Sequence, residues 1–304
     1  MHVLITGATG LIGSSVAEAL LARGDEVVGL TRNPDGARET NPNIAWHSWD
    51  PARERPSPDA LAGVEAVVNL VGEPLNQRWT ELAKKKMRAS RVTATNNLVQ
   101  GFVFDGHRPK VLVSQSAVGY YGDGGSSIID ETAAPAMTFD AQLCVDWEAA
   151  AREAEASGMR VVVLRTGLVL DKRSGLLKEL LTPFKLGLGG PLAGGRQYTP
   201  WIALDDEVGM ILWALDNNEV TGTLNATGPE PVTNREFSET LGRLLGRPAF
   251  LPTPKIAIRM LYGRELAVAA TGGQRALPRR ARDLGYQFKY WDVESALRAA
   301  LEAD

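Results

Sequence analysis

The chain has a single cysteine, Cys144, among its 304 residues. No intrachain disulfide can form, and such low cysteine usage fits a reducing compartment. Histidine is scarce as well: His2, His47 and His107 are scattered, and no Cys/His spacing of the kind that grips a metal exists. Long apolar runs are missing. The first one starts at Val3 with no basic segment before it and meets glycine at Gly7, so neither a signal peptide nor a membrane span is expected there. The chain also lacks a charge excess; its formal net charge of -3 gives no global reason to expect nucleic acid or an anionic membrane as partner. The G-x-S-x-G elbow of the serine hydrolases is absent. What these absences leave is a cytoplasmic protein that handles a small molecule, in a chain long enough for one large domain and a smaller one.

Glycine, by contrast, is concentrated where it costs most. The opening stretch TGATGLIG sets Gly7, Gly10 and Gly13 at three-residue intervals between the apolar run HVLI and a segment with helical spacing at Ile12, Val16, Ala19 and Leu20. A second apolar run, EVVGL, follows, which completes a strand, helix, strand unit of the length a right-handed crossover needs. At such a turn Thr9, Gly10, Leu11, Ile12 and Gly13 present backbone N–H groups with the positive end of a helix dipole behind them, and a diphosphate fits there. Gly7 would permit the tight turn, Gly10 the close approach of the diphosphate, and Gly13 the packing of helix on strand. The motif predicts a dinucleotide site.

The end of the second strand predicts which dinucleotide. An NAD site usually places Asp or Glu there to bind the ribose hydroxyls. This chain has Thr31 and Arg32, a hydroxyl and a guanidinium that suit a 2′-phosphate, although Arg32 would equally serve as a solvated surface charge. NADP(H) is the cofactor expected.

Further Val/Leu runs, AVVNLV (66–71), KVLVS (110–114) and RVVVLR (160–165), alternate with helical segments at 79–105 and 138–157. Near-continuous apolar runs of this kind are buried on both faces, which predicts an α/β fold with a Rossmann-type doubly wound parallel sheet. Residues 1–250 form this cofactor domain with its substrate-side loops, and residues 251–304 a small, mainly helical C-terminal domain. Its apolar Ile256, Met260, Leu261, Leu266 and Leu297 are expected to pack on the sheet domain and help close the pocket. The Gly/Pro-rich stretch LGLGGPLAGGRQYTPW (186–201) reads as a long loop over the substrate, with Arg196, Tyr198 and Trp201 as candidate substrate contacts.

Several motifs in this order, GATGLIG, NLVGEPL, SQSAVGYYG and LRTGLVL, resemble the short-chain dehydrogenase/reductase superfamily in its extended, epimerase-like form. PFKLGLGGPLAGGRQYTPWIALDD and ATGGQRALPRRARDLGYQFKYWDVESAL are similar to an atypical subfamily with a small C-terminal domain. The resemblance implies that Leu70, Val71, Gly72 and Glu73 lie beside the adenosine and ribose of the cofactor, and Thr166 near the nicotinamide. Arg91, on a helical face with Lys84, Arg88 and Thr95, either reaches cofactor or substrate or is a solvated charge.

The same resemblance exposes a departure. The family's Y-x-x-x-K couple is replaced by Asp140 and Cys144, whereas Ser116 matches the family's serine. A thiol carries no fixed charge with which to poise a phenol of pKa near 10. Ser116 with Tyr120 or Tyr121 is then the candidate polar pair, the tyrosines either reacting or packing. Cys144, beside an apolar stripe, is either a nucleophile or an inert buried thiol. Two functions stay open: an NADP(H)-dependent oxidoreductase or epimerase, and an NADP(H)-sensing protein without turnover.

Overall fold

The computed structural model describes residues 1–104, 106–173 and 175–303. Seven strands make the main sheet: β1 (His2–Thr6), β2 (Glu26–Thr31), β3 (Ala45–Ser48), β4 (Ala66–Asn69), β5 (Val111–Ala117), β6 (Arg160–Thr166) and β7 (Gly222–Ala226). Their spatial order is β3-β2-β1-β4-β5-β6-β7, and every neighbouring pair is parallel. This is the doubly wound, Rossmann-type sheet that the apolar runs predict.

Parallel strands need helices on both faces, and the strand sequences supply two apolar faces. Val3, Ile5, Val68, Val113 and Leu164 meet the helix Leu204–Asp216 and helix Leu11–Ala22 on one side. Leu4, Val67, Leu112, Val161 and Val163 meet Leu98, Phe102 and Ala151 on the other. The predicted helix at 79–105 is real but not uniform: helix Glu81–Arg88 and helix Ala94–Phe104 are joined by a π turn, Ala89–Thr93.

A third apolar core lies outside the sheet. Leu177 and Phe184 of helix Gly175–Lys185, Trp201, Phe237 of helix Asn234–Leu244, and Leu297 of helix Val293–Glu302 fill it. The C-terminal segment is fastened to the rest by specific bonds. Arg275–Ala276 pairs in parallel with Ile128–Ile129, and the Asp206 carboxylate accepts from the Lys289 and Tyr290 backbone N–H groups at 2.7 and 3.1 Å.

Two expectations need correction here. Leu297 is buried as expected, but Ile256, Met260 and Leu261 face outward, because helix Lys255–Tyr262 buries only Ile258. The stretch 186–201 is not a free loop either: Tyr198–Thr199 pairs with Val232–Thr233, and Trp201–Ala203 with Leu168–Leu170.

Candidate active site

The register of the sheet decides what meets at its carboxyl edge. Thr6 is opposite Asn69, and its hydroxyl donates to Asn69 Oδ1 at 2.8 Å while accepting from the Leu70 and Val71 N–H groups at 3.1 and 3.2 Å. Asn69 Nδ2 donates onward to Thr95 and Ser114. This buried knot fixes the chain at residues 70–73 against the glycine turn.

Each glycine of that turn has its own physical reason. Gly7 has φ +71°, and a Cβ there would stand 3.0 Å from the Leu70 carbonyl oxygen. A Cβ on Gly13 would run into the Gly7 carbonyl oxygen, so only glycine lets the helix approach the strand. Gly10 differs: a Cβ would touch only Gly7 O at 3.3 Å, and Thr9 and Gly10 are exposed. Of the three glycines, Gly10 is thus the one whose bareness the fold requires least, and it leaves the turn open to solvent. The helix Leu11–Ala22 starts there without a side-chain cap, which leaves its first N–H groups for an anion.

Beside this cradle is a cavity of about 390 Å³ lined by Thr9, Ser14, Thr31 and Asn33. The Thr31 hydroxyl accepts from the Asn33 N–H at 3.2 Å. Arg32 is exposed at its rim and makes no bond among the described residues. These residues fit a dinucleotide with a phosphorylated adenosine ribose.

A second cavity, about 520 Å³, opens past the ends of β4, β5 and β6. Leu70, Gly72, Arg91, Ser116, Asp140, Cys144 and Thr166 all line it. Ser116, opposite Arg165 in the sheet, is 2% exposed and donates to Glu148 Oε1 at 2.8 Å. Glu148 in turn grips Arg165 with both oxygens, at 2.8 and 2.9 Å, and also receives Arg152 at 2.9 Å. Burial works against the Arg165 charge, yet the Glu148 bonds outweigh it and raise the guanidinium above its ordinary value.

Arg91 is buried, donates to the Glu73 carbonyl at 2.9 Å and lies 5.1 Å from the Trp147 ring. Burial lowers it to about 10, so it stays cationic at neutral pH. Gly72 makes room for it, because a Cβ there would stand 3.0 Å from the guanidinium. Glu73 and Val71 hold the same turn, the Glu73 N–H donating to Ser90 Oγ at 2.9 Å. Burial first, and the Glu148 carboxylate second, push the Cys144 thiol up to about 12. It is therefore a neutral wall group.

The tyrosines are not part of this cavity. Tyr121 is 6% exposed, donates to Asn225 Oδ1 at 2.7 Å and accepts from Arg165 at 3.0 Å, and burial pushes its hydroxyl up to about 12. Tyr120 stacks under Arg165, whose guanidinium carbon is 3.4 Å from the ring centre. Tyr120 and Tyr121 are packing groups around a buried cation, which corrects the reacting pair predicted for them. Trp201 is likewise core, 1% exposed with its N–H on the Glu230 carbonyl at 3.0 Å. Tyr198 meets Arg275, and Arg196 is exposed; neither lines the cavity.

Two features escaped the sequence. The resemblance singles out Glu148 but not its partner: Glu148 and Arg165 pair inside the sheet layer, and the only hint of that was a charge closing the apolar run RVVVLR. Glu207 is fully buried; it accepts from Thr166 Oγ1 at 2.9 Å, and its second oxygen has no partner. Burial raises it to about 8. Among the described residues no cluster of His, Cys, Asp and Glu could hold a metal, and no helix is long and apolar enough to cross a membrane.

Residues 3–226 match the NAD dependent epimerase/dehydratase family. The chain belongs to that family. Residues 253–300 match a second family, a domain of unknown function designated DUF1731. Among epimerase family proteins, Mb2239 of Mycobacterium bovis is 40% identical over 97% of this chain and 96% of its own length. The human epimerase family protein SDR39U1 is 37% identical over 98% and 99%. The crystal structure of human SDR39U1 (isoform 2), solved with NADPH, superposes with a TM-score of 0.90 at 35% identity, covering both chains completely. A nucleoside-diphosphate sugar epimerase from Corynebacterium glutamicum superposes with a TM-score of 0.80 at 30% identity, over 99% of this chain and 58% of that one. This chain has the glycine turn and Ser116 at the carboxyl edge of the sheet, with Asp140 and Cys144, the positions that the sequence resemblance sets against the family's Tyr/Lys couple, on the same cavity lining.

Proposed function

We propose that this chain is an NADP(H)-dependent oxidoreductase of the epimerase-like kind. The observation that carries the reading is the 520 Å³ cavity, which opens at the carboxyl edge next to the glycine cradle and holds Ser116, Arg91 and Thr166 on one wall. Gly7, Gly10 and Gly13 with the helix N–H groups would hold the diphosphate, Thr31 and Arg32 the 2′-phosphate, and Leu70 to Glu73 the adenosine side. The NADPH found with the human relative supports that choice of cofactor. When bound, such a cofactor supplies or accepts a hydride at its nicotinamide.

The chain's own groups define how a substrate is held. Ser116 gives its proton to Glu148, so towards the cavity it offers a lone pair that orients an alcohol O–H. A carbonyl oxygen needs a donor instead, and the remaining N–H groups of Arg91 on the same wall provide one. Arg91 thus takes over the electrostatic part that a Tyr/Lys couple plays elsewhere.

Calorimetry tests the cofactor assignment. NADPH should bind about tenfold or more tightly than NADH, because a charge-assisted phosphate contact is worth roughly 1.5–3 kcal/mol, and Arg32→Ala should remove most of that preference. Equal affinities for the two cofactors in the unaltered protein would refute it. The replaced couple favours one other reading, a sensor that binds NADP(H) without turnover. It would predict tight binding with no NADPH consumption against any carbonyl compound.

A further inference from the structure

The substrate cavity is built unlike a receptor for a sugar nucleotide. Leu75, Trp79, Leu143 and Trp147 form its wall, and Leu266 and Ala269 of helix Arg264–Thr271 close it from the C-terminal segment. Both indole N–H groups are occupied, Trp79 on the Leu75 carbonyl at 2.9 Å and Trp147 on Thr95 at 3.0 Å, so the rings offer their apolar bodies. Arg91 is the one cation on the lining, and it already donates to Glu73 and lies against Trp147. A diphosphate would ask for several cations, and this lining has one.

The adjoining cavity is as unsuited to phosphate. A cavity of about 450 Å³ shares Trp79, Asp140 and Ala269 with this one. Its charged lining is Asp123, Asp140 and Glu265 against Arg264. Lys84 neutralises Glu265 at 2.8 Å, but Asp140, on the lining of both cavities, has no bond of its own among the described residues. An anion in either cavity meets a carboxylate.

Room is limited as well. Gly72, Thr166 and Gly167 line the same 520 Å³, so on the reading proposed above the nicotinamide end of the cofactor shares it with the substrate. The closing helix does not hang free: Glu265 is tied to Lys84, the Met260 carbonyl accepts from Arg78 at 2.8 Å, and the Gly273 N–H donates to Asp123 at 3.2 Å.

We propose that the substrate is a compact, largely apolar carbonyl or alcohol compound without phosphate, seated between Trp79 and Trp147 with its polar end towards Ser116 and Arg91. This rests on the redox reading of the site. Calorimetry on the full chain, with and without saturating NADPH, uses acetophenone and UDP-glucose as probes. Acetophenone should bind about tenfold or more tightly than UDP-glucose. Ala269→Trp should lower the ketone affinity about tenfold by filling the space, and Ala269→Val should lower it less. UDP-glucose binding as tightly as the ketone, no ketone binding at all, or ketone binding untouched by both substitutions would overturn the proposal. Loss of NADPH binding in the unaltered protein, with ketone binding intact, would refute the cofactor assignment and leave the cavity assignment standing.

Discussion

Cys144 is the side chain on which sequence and structure bear most directly. It stands where a lysine is usual, 5% exposed, with burial pushing its thiol up to about 12. Thiolate is the reactive form, so at neutral pH almost none is present. Iodoacetamide should leave the native protein unmodified over hours and label it once denaturant is added, as intact mass would show; rapid labelling of the folded protein would mean an exposed or activated thiol. Burial accounts for most of the thiol's neutrality, and the neighbouring Glu148 carboxylate adds to it. That carboxylate is itself committed to Ser116, Arg152 and Arg165 in one bonded network.

Among the elements, the turn between β1 and helix Leu11–Ala22 separates folding from binding residue by residue. Gly13→Ala forces a Cβ into the Gly7 carbonyl and should lower the melting temperature by several degrees, since overpacking costs about 1–3 kcal/mol. Gly10→Ala meets only one atom at 3.3 Å and should melt close to the unaltered protein, while its NADPH affinity falls about tenfold or more because the methyl stands where the diphosphate would approach. Thermal scans paired with calorimetry check both, and the reverse pattern would show that the diphosphate does not sit on this turn.

How far elements could be read from sequence followed their burial. β1, β2, β4, β5 and β6 are deep in the sheet and show as Val/Leu runs. β3 is one of the two edge strands, only Ala45–Ser48, with Trp46 as its single buried residue, so no run betrays it. Helix Gly175–Lys185 is obscured by Pro183 within it and by the glycines that follow. The π turn at Ala89–Thr93 has no composition of its own, yet it carries Arg91.

For the molecule as a whole, Glu207 ties stability to pH. A carboxyl ordinarily near 4.5 is held by burial at about 8. The unfolded chain loses that proton near the ordinary value while the folded chain keeps it, so between about 4.5 and 8 stability falls as pH rises. Below the window both states are protonated and no penalty exists. Glu207→Gln retains an acceptor for Thr166 and cannot ionise; relative to it, the unaltered protein should lose stability from pH 5 to pH 8, by an amount on the order of a few kcal/mol. Parallel melting curves across that range would exclude the effect.

The site was legible to the extent that its chemistry is written in backbone. Glycine spacing can be read without coordinates because it reports what the main chain must do. Side-chain assignments failed where tertiary packing decides. In GYYG one ring is covered by Arg165 and the other is anchored on Asn225, partners 45 and 104 residues away in sequence. Trp201 read as a substrate contact because it adjoins a glycine-rich stretch, but a strand pairing turns it into the third core.

The closing helix Arg264–Thr271 has a consequence in time. A ribosome delivers the whole main sheet first, since its seven strands and the Asn69 knot that braces the glycine turn lie within residues 2–226. The wall that completes the substrate cavity, helix Arg264–Thr271, comes later in the chain. Domains fold as units during synthesis, at about 5–20 residues per second, so for a few seconds the nascent chain can hold its folded sheet with the chamber still open on one side. On the cofactor reading proposed above, NADPH would meet the glycine turn before the chamber is sealed, and the order of translation becomes an order of loading.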